Sequence, residues 1–141
     1  MEIKIIPVVN VIIIKNEKML LGKRSPEKKY LPNYWTTPGG KVNPGEKLLD
    51  ALKRELKEET NLEIKKADLM RISEQFHNDH HHIIFDFLVE TKNDKYKAGD
   101  DLVDLDWFDK KDLWKLKIDE KDKVFLKSLD FKDKNKLIIN L

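Results

Sequence analysis

From Gly39 the chain reads GGKVNPGEKLLDALKRELKEETNL, and no other stretch constrains the fold as much: one helix with both ends marked carries four glutamates and one arginine at fixed spacings. Pro38, Gly39, Gly40, Pro44 and Gly45 punctuate a tight loop, after which Glu46 opens a run of good helix formers lasting to Thr60. The positive end of the helix dipole favours an acidic side chain at that start. Asn61, just past the last turn, tolerates the left-handed conformation that closes a helix.

At about 100° per residue, Leu48, Leu52 and Leu56 fall on one stripe flanked by Leu49 and Ala51, and this stripe is expected to face the core. Glu59 lies on the stripe, Glu55 at its edge and Glu58 slightly further round, beside Ala51. An ordinary surface helix would turn these carboxylates to water, with Arg54 and Glu58 as a modest i,i+4 pair. That simpler reading accounts for the helix but leaves the glycine loop, the register of Glu46 and the acids on the apolar side as coincidences. Burying an ionised carboxylate costs on the order of several kcal/mol unless a positive charge compensates it. Mg²⁺ or Mn²⁺ supplies such compensation, because hard cations take oxygen ligands and keep positions open for water and phosphate.

The order Gly, five residues, Glu, seven residues, Arg-Glu, aliphatic, any, Glu-Glu, any, Gly, aliphatic is the Nudix box, and this segment resembles it at Gly40, Glu46, Arg54, Glu55, Leu56, Glu58, Glu59 and Leu62. Asn61 stands where the family has glycine, and asparagine is the next most tolerant residue for positive φ. The resemblance implies an α+β fold of the Nudix α/β/α sandwich type, with a mixed central sheet. It implies a Mg²⁺- or Mn²⁺-dependent pyrophosphohydrolase of a nucleoside diphosphate linked to another moiety. Glu55, Glu58 and Glu59 with the Gly40 carbonyl are the implied metal ligands, Glu55 the base, Arg54 the residue that orients them, and Glu46 a support from the helix start. A further acid from outside the box is expected at Asp101, with Asp100 beside it, and Glu90 is another candidate base or ligand.

The remainder of the chain bounds this reading. At 141 residues it suits a single domain, 1–141. Charged residues make up 38% of the chain but the formal net charge is only +2, so no long-range attraction to nucleic acid is implied. Without cysteine there is neither disulfide nor thiolate chemistry, and a cytoplasmic location is expected. The apolar N-terminus is interrupted by Pro7 and Asn10 and reads as a strand, not as a signal peptide or membrane segment. Strands are expected at 3–15, 18–24, 34–37, 62–76, 81–91 and 103–108, with a turn at Asn16 and Glu17 and a polar loop at 93–99. Helices are expected at 110–116 and 120–129, the second with Val124, Phe125 and Leu129 at core spacing.

Only Arg24, Arg54 and Arg71 are arginines among 28 basic residues. Arg24 ends a strand, where MutT-like members of the resembled family meet substrate; with Gly39, Gly40 and Trp35 it is expected to bind substrate. Tyr34 is a second candidate for stacking on a base, and Arg71 is a candidate phosphate contact. His77, His80, His81 and His82 are expected at an exposed turn entering a strand, since adjacent strand residues face opposite ways and cannot readily share one ion. The expected partner is a small nucleotide, bound by a monomer or homodimer. Both nucleoside triphosphates (MutT-like) and ADP-ribose fit the box, although the downstream proline that accompanies ADP-ribose specificity is missing. The alternative is a non-catalytic Nudix-fold nucleotide-binding module that regulates a partner; such members usually lose the carboxylates that this chain keeps.

Overall fold

The computed structural model describes residues 2–133. In chain order these form β1 (Lys4–Ile12), β2 (Ile14–Lys15), β3 (Lys18–Arg24), β4 (Trp35–Thr36), β5 (Gly39–Lys41), α1 (Leu48–Thr60), β6 (Ile64–His77), β7 (His80–Thr91), β8 (Leu102–Asp109), a 3₁₀ helix (Lys110–Lys115) and α2 (Glu120–Ser128). One sheet runs β5-β1-β7-β6, with β1 and β7 parallel and the other pairs antiparallel. In the second sheet β3 pairs β2 and β4 along one edge and β8 along the other, all antiparallel. The fold is thus α+β, with mixed strand pairing between helices.

The strand expected at 3–15 is divided at Ile13, and its two parts enter different sheets. The Ile13 carbonyl accepts from Leu20 N–H, so the corner is closed by β3 itself. Residue alternation then sorts the core into two. Val9, Val11, Ile13, Leu20, Phe87 and Val89 face α1 through Ala51, Leu52 and Leu56. Ile12, Ile14, Met19 and Leu21 face Phe125, Leu126 and Leu129 on the α2 side.

Two core expectations need correction. Leu49 is 52% exposed, because it stands in the first turn of α1, ahead of the point where Ala51 and Leu52 are fully seated. Val124 is 69% exposed; the buried face of α2 is Phe125 and Leu126, continued by Leu129, so the apolar stripe is turned by one residue from the one expected. The segment 110–116 winds as a 3₁₀ helix with Leu113 as its buried residue. The box helix starts two residues later than Glu46, leaving that glutamate in the loop, where its side chain is free to reach forward.

The C-terminal end of α1 closes as the sequence suggests: Asn61 lies at φ 63°, ψ 11°, and its N–H donates to the Lys57 carbonyl at 3.0 Å. Asn61→Val puts a branched side chain in that left-handed position and is expected to cost about 1–2 kcal/mol, whereas Asn61→Gly stays neutral or gains slightly. Urea denaturation of both variants checks this.

Candidate active site

The arginine of the box is the centre of the site's hydrogen bonding. Arg54 presents a two-pronged face to Glu46, with Nε to Oε2 at 2.8 Å and Nη2 to Oε1 at 2.9 Å, while Nη1 donates to Glu55 Oε1 at 2.9 Å and more loosely to Glu58 Oε2 at 3.4 Å. Nη2 also reaches the Lys41 carbonyl at 3.1 Å, tying α1 to β5. A planar guanidinium alone among side chains can serve so many acceptors at once, and lysine cannot replace it. The Glu46 carboxylate accepts in addition from Asn43 N–H at 3.0 Å. Its hydrogen bonds from Arg54 and then from Asn43 hold its pKa down at about 2, and the same Arg54–Glu46 contact drives the guanidinium pKa up.

Two further acids of the box, Glu59 and Glu55, meet a different environment. Glu59 is 3% exposed and accepts from Gly39 N–H at 2.7 Å. Burial pushes its pKa up to about 8, with the negative charges of Glu55, Asp101 and Asp100 adding to the shift and the Gly39 N–H opposing it. Glu55 is 8% exposed; burial raises its pKa and Arg54 only partly offsets that. Gly40 is packed so closely on it that an added Cβ would stand 2.5 Å from Glu55 Oε1. Nothing larger than glycine fits there without moving the carboxylate.

Carboxylate oxygens of Glu55, Glu58 and Asp100 lie within 4.8 Å of one another, and so do those of Glu59, Asp100 and Asp101. An all-oxygen, like-charged cluster of this kind, with Glu55 and Glu59 buried, fits a hard divalent cation. Asp100 belongs to both groups, whereas the sequence reading favours Asp101, which also forms an ion pair with Lys28. Asp100 takes positive φ, 53°, at the turn that leads into β8. Glu90 is exposed and, by alternation from Val89, lies on the face of β7 turned away from α1; it is not in the cluster.

On the opposite face of the first sheet a pocket of ≈ 160 Å³ opens between the strands and α2. Its floor includes Asn10 and His82, one wall holds Arg24, Tyr30 and Trp35, and the start of α2 contributes Asp119 and Asp122. Arg24 donates from Nε and Nη2 to the Tyr30 carbonyl at 3.2 and 3.0 Å, bracing that wall. Trp35 packs edge-on against Phe108. His82 Nε2 is buried without a hydrogen-bond partner among the described residues, and burial lowers the ring's pKa. Its neighbour His81 points the other way, stacking on Phe76 and bonding Glu74 at 2.7 Å. Arg71, the candidate phosphate contact, is held by Asp86, to which its Nε donates at 3.0 Å.

Sequence reasoning missed Asn10, Tyr30, Asp119 and Asp122, which line this pocket, and Asp86, which is buried and bonded to Asn10. They come from four separate segments, and only Pro7 and Asn10 breaking an apolar strand gave any local signal.

The NUDIX domain model matches residues 4–129. The chain belongs to the Nudix family. Among solved structures, the MutT protein of Methanosarcina mazei Go1 superposes with a TM-score of 0.81 at 23% identity, covering 96% of this chain and 99% of that one. Among Nudix proteins of assigned activity, an ADP-ribose pyrophosphatase of Methanocaldococcus jannaschii is 36% identical over 110 residues, 77% of this chain and 64% of that protein. An 8-oxo-dGTP diphosphatase of Buchnera aphidicola is 42% identical over 66 residues, 47% of this chain and 50% of that protein. The matched region spans less than two thirds of the length of these curated relatives.

Asp122 carries a pH signature. Burial first, then the negative charges of Asp119 and Asp86, raises its pKa from 3.8 to about 6. A raised carboxyl pKa means the folded state takes up its proton before the unfolded chain does, so this group adds stability as pH falls from about 6 towards 3.8 and penalises folding above that window. Asp122→Asn is therefore expected to raise Tm at pH 7.5, with the gain shrinking by pH 4; a calorimetric pH series measures it.

Proposed function

We propose that this Nudix protein is a divalent-cation-dependent pyrophosphohydrolase acting on a nucleoside diphosphate linked to a further group. The observation that carries the reading is the carboxylate cluster of Glu55, Glu58, Glu59 and Asp100 at one end of α1, brought against the Gly39–Gly40 edge by Arg54 and the Gly39 N–H. Glu55, Glu58, Glu59 and Asp100, with Asp101 and the Gly40 carbonyl at hand, would hold Mg²⁺ or Mn²⁺. When bound, such an ion offsets the charge of the diphosphate and makes water easier to deprotonate.

The chain's own residues supply the rest. Glu55, with its pKa raised by burial, is suited to take the proton of the attacking water. Arg54 fixes the direction of that carboxylate, and Glu46 fixes Arg54. Water attacks one phosphorus, its oxygen forms the new P–O bond, and the bridging P–O bond breaks. The products are a nucleoside monophosphate and a phosphate-bearing leaving group.

The pocket under α2 is the proposed seat of the base. It communicates with the carboxylates through Asn10, which pairs with Gly39, the residue whose N–H holds Glu59. Arg24 and Trp35 on its wall take the substrate-binding roles. Nucleoside triphosphates are the first substrate class, supported by the small size of a pocket suited to one base and by the MutT-like fold. ADP-ribose is the second, favoured by the relative of that activity that is similar over 110 residues. A purely regulatory nucleotide-binding module is disfavoured, since every carboxylate of the box is present and the arginine network is complete.

The test is a nucleotide panel assayed with and without Mg²⁺ or Mn²⁺. Metal-dependent release of a nucleoside monophosphate is expected from the wild type, and Glu55→Gln is expected to lower kcat by roughly 10²- to 10⁴-fold with an unchanged far-UV spectrum. Full activity in Glu55→Gln would remove the base assignment.

A further inference from the structure

Beneath the pocket lies a polar chain, centred on a buried carboxylate and part-buried at its arginine, that none of the chemistry above uses. Asp86 on β7 is 1% exposed, and its two oxygens are engaged separately: Asn10 Nδ2 donates to Oδ1 at 3.1 Å, and Arg71 Nε donates to Oδ2 at 3.0 Å. The Arg71 guanidinium then covers the ring of Phe125, 3.5 Å from its centroid. Phe125 belongs to α2, three residues after Asp122, which places the two on neighbouring positions of one helical face. The chain therefore begins at a residue of the pocket floor, Asn10, and ends on the helix that carries the two acids of its rim.

Such an arrangement is a poor way to gain stability. Well-packed apolar residues commonly replace a buried ion pair with no loss, and sometimes with a gain. What the pair does provide is direction: each Asp86 oxygen has one partner among the described residues, so β1, β7, β6 and α2 are held in a single relative placement. α2 has only nine residues, too few to be stable alone, so the positions of Asp119 and Asp122 depend on how its buried face is docked. Within that face, Phe125 is the residue that meets the polar chain.

We infer that Asn10, Asp86, Arg71 and Phe125 form a positioning device that fixes α2 against the sheet and thereby sets the affinity of the pocket for its nucleotide, without taking part in hydrolysis. This rests on the reading of the pocket as the base site. When the device is loosened, α2 samples placements in which Asp119 and Asp122 no longer line the pocket, and the apparent affinity falls with the fraction of molecules still correctly docked. The carboxylate cluster on the α1 face keeps its own anchors, Arg54 and the Gly39 N–H.

Two variants break different links. Arg71→Lys keeps a cation for Asp86 but no flat group to lie on Phe125, and Phe125→Leu removes the ring while leaving the Asp86–Arg71 pair intact. For each, KM for a nucleoside triphosphate is expected to rise about five- to tenfold, with kcat within about twofold of wild type. The ratio of kcat/KM between a purine and a pyrimidine nucleoside triphosphate should move towards one. Phe125→Tyr, which retains the ring, should restore the wild-type KM. If both folded variants keep wild-type KM and base ratio, the network is structural only and the inference fails while the proposed function stands. A fall in kcat at constant KM would also overturn it, by assigning the network to the chemical step. Wild-type protein that hydrolyses no nucleotide would remove the proposed function and this inference together.

Discussion

Everything at the candidate active site depends on acidic side chains being held on the buried side of α1, where isolated carboxylates do not belong. Glu55 and Glu59 occupy positions that the helical repeat would give to leucine, at 8% and 3% exposure. Two donors make this tolerable: the Arg54 guanidinium for Glu55 and a main-chain N–H from Gly39 for Glu59. Neither donor cancels the cost of burial, since both carboxyl pKa values remain raised. The remaining deficit of positive charge is what suits the cluster to a divalent ion, with Asp100 and Asp101 completing it from a loop that precedes β8.

The two faces of the first sheet divide the work. On the α1 face, acids and a single arginine form the cluster proposed to act on a phosphoanhydride. On the α2 face lies the pocket proposed for recognition, with two aspartates and a His82 nitrogen that has no hydrogen-bond partner among the described residues. The short strand β5 is the edge at which they meet, and its glycines matter for different reasons. At Gly39, φ is 153° and an added Cβ would collide with the Val9 carbonyl. At Gly40 the obstacle is the Glu55 carboxylate.

How much of this was legible in the sequence follows from how local each feature is. The box helix, its Asn61 cap and the crowding of Glu55 and Glu59 on the apolar side are consequences of spacing within two dozen residues. The family's fold could be anticipated from the same segment, and the strands were found within a few residues of their bounds, except β5, which lies in the stretch read as a tight loop. What spacing could not give was the corner at Ile13, which depends on β3 closing it, or the exposure of Leu49 and Val124, which depends on where each helix meets its sheet. The pocket was hidden for a stronger reason. Asn10, Arg71 and Asp86 are brought together by strand pairing and Asp122 by the docking of α2, so Arg71 looked like a free cation until Asp86 was seen beside it.

The central claim is that the acidic end of α1 is built around a divalent cation. Calorimetric titration with Mn²⁺ tests it most directly, comparing wild type with a variant in which Glu55, Glu58 and Glu59 are all glutamine. Saturable uptake by the wild type, lost in the triple variant while its fold is retained, is the predicted result. No uptake by the wild type with or without nucleotide, or undiminished uptake by the triple variant, would contradict the account.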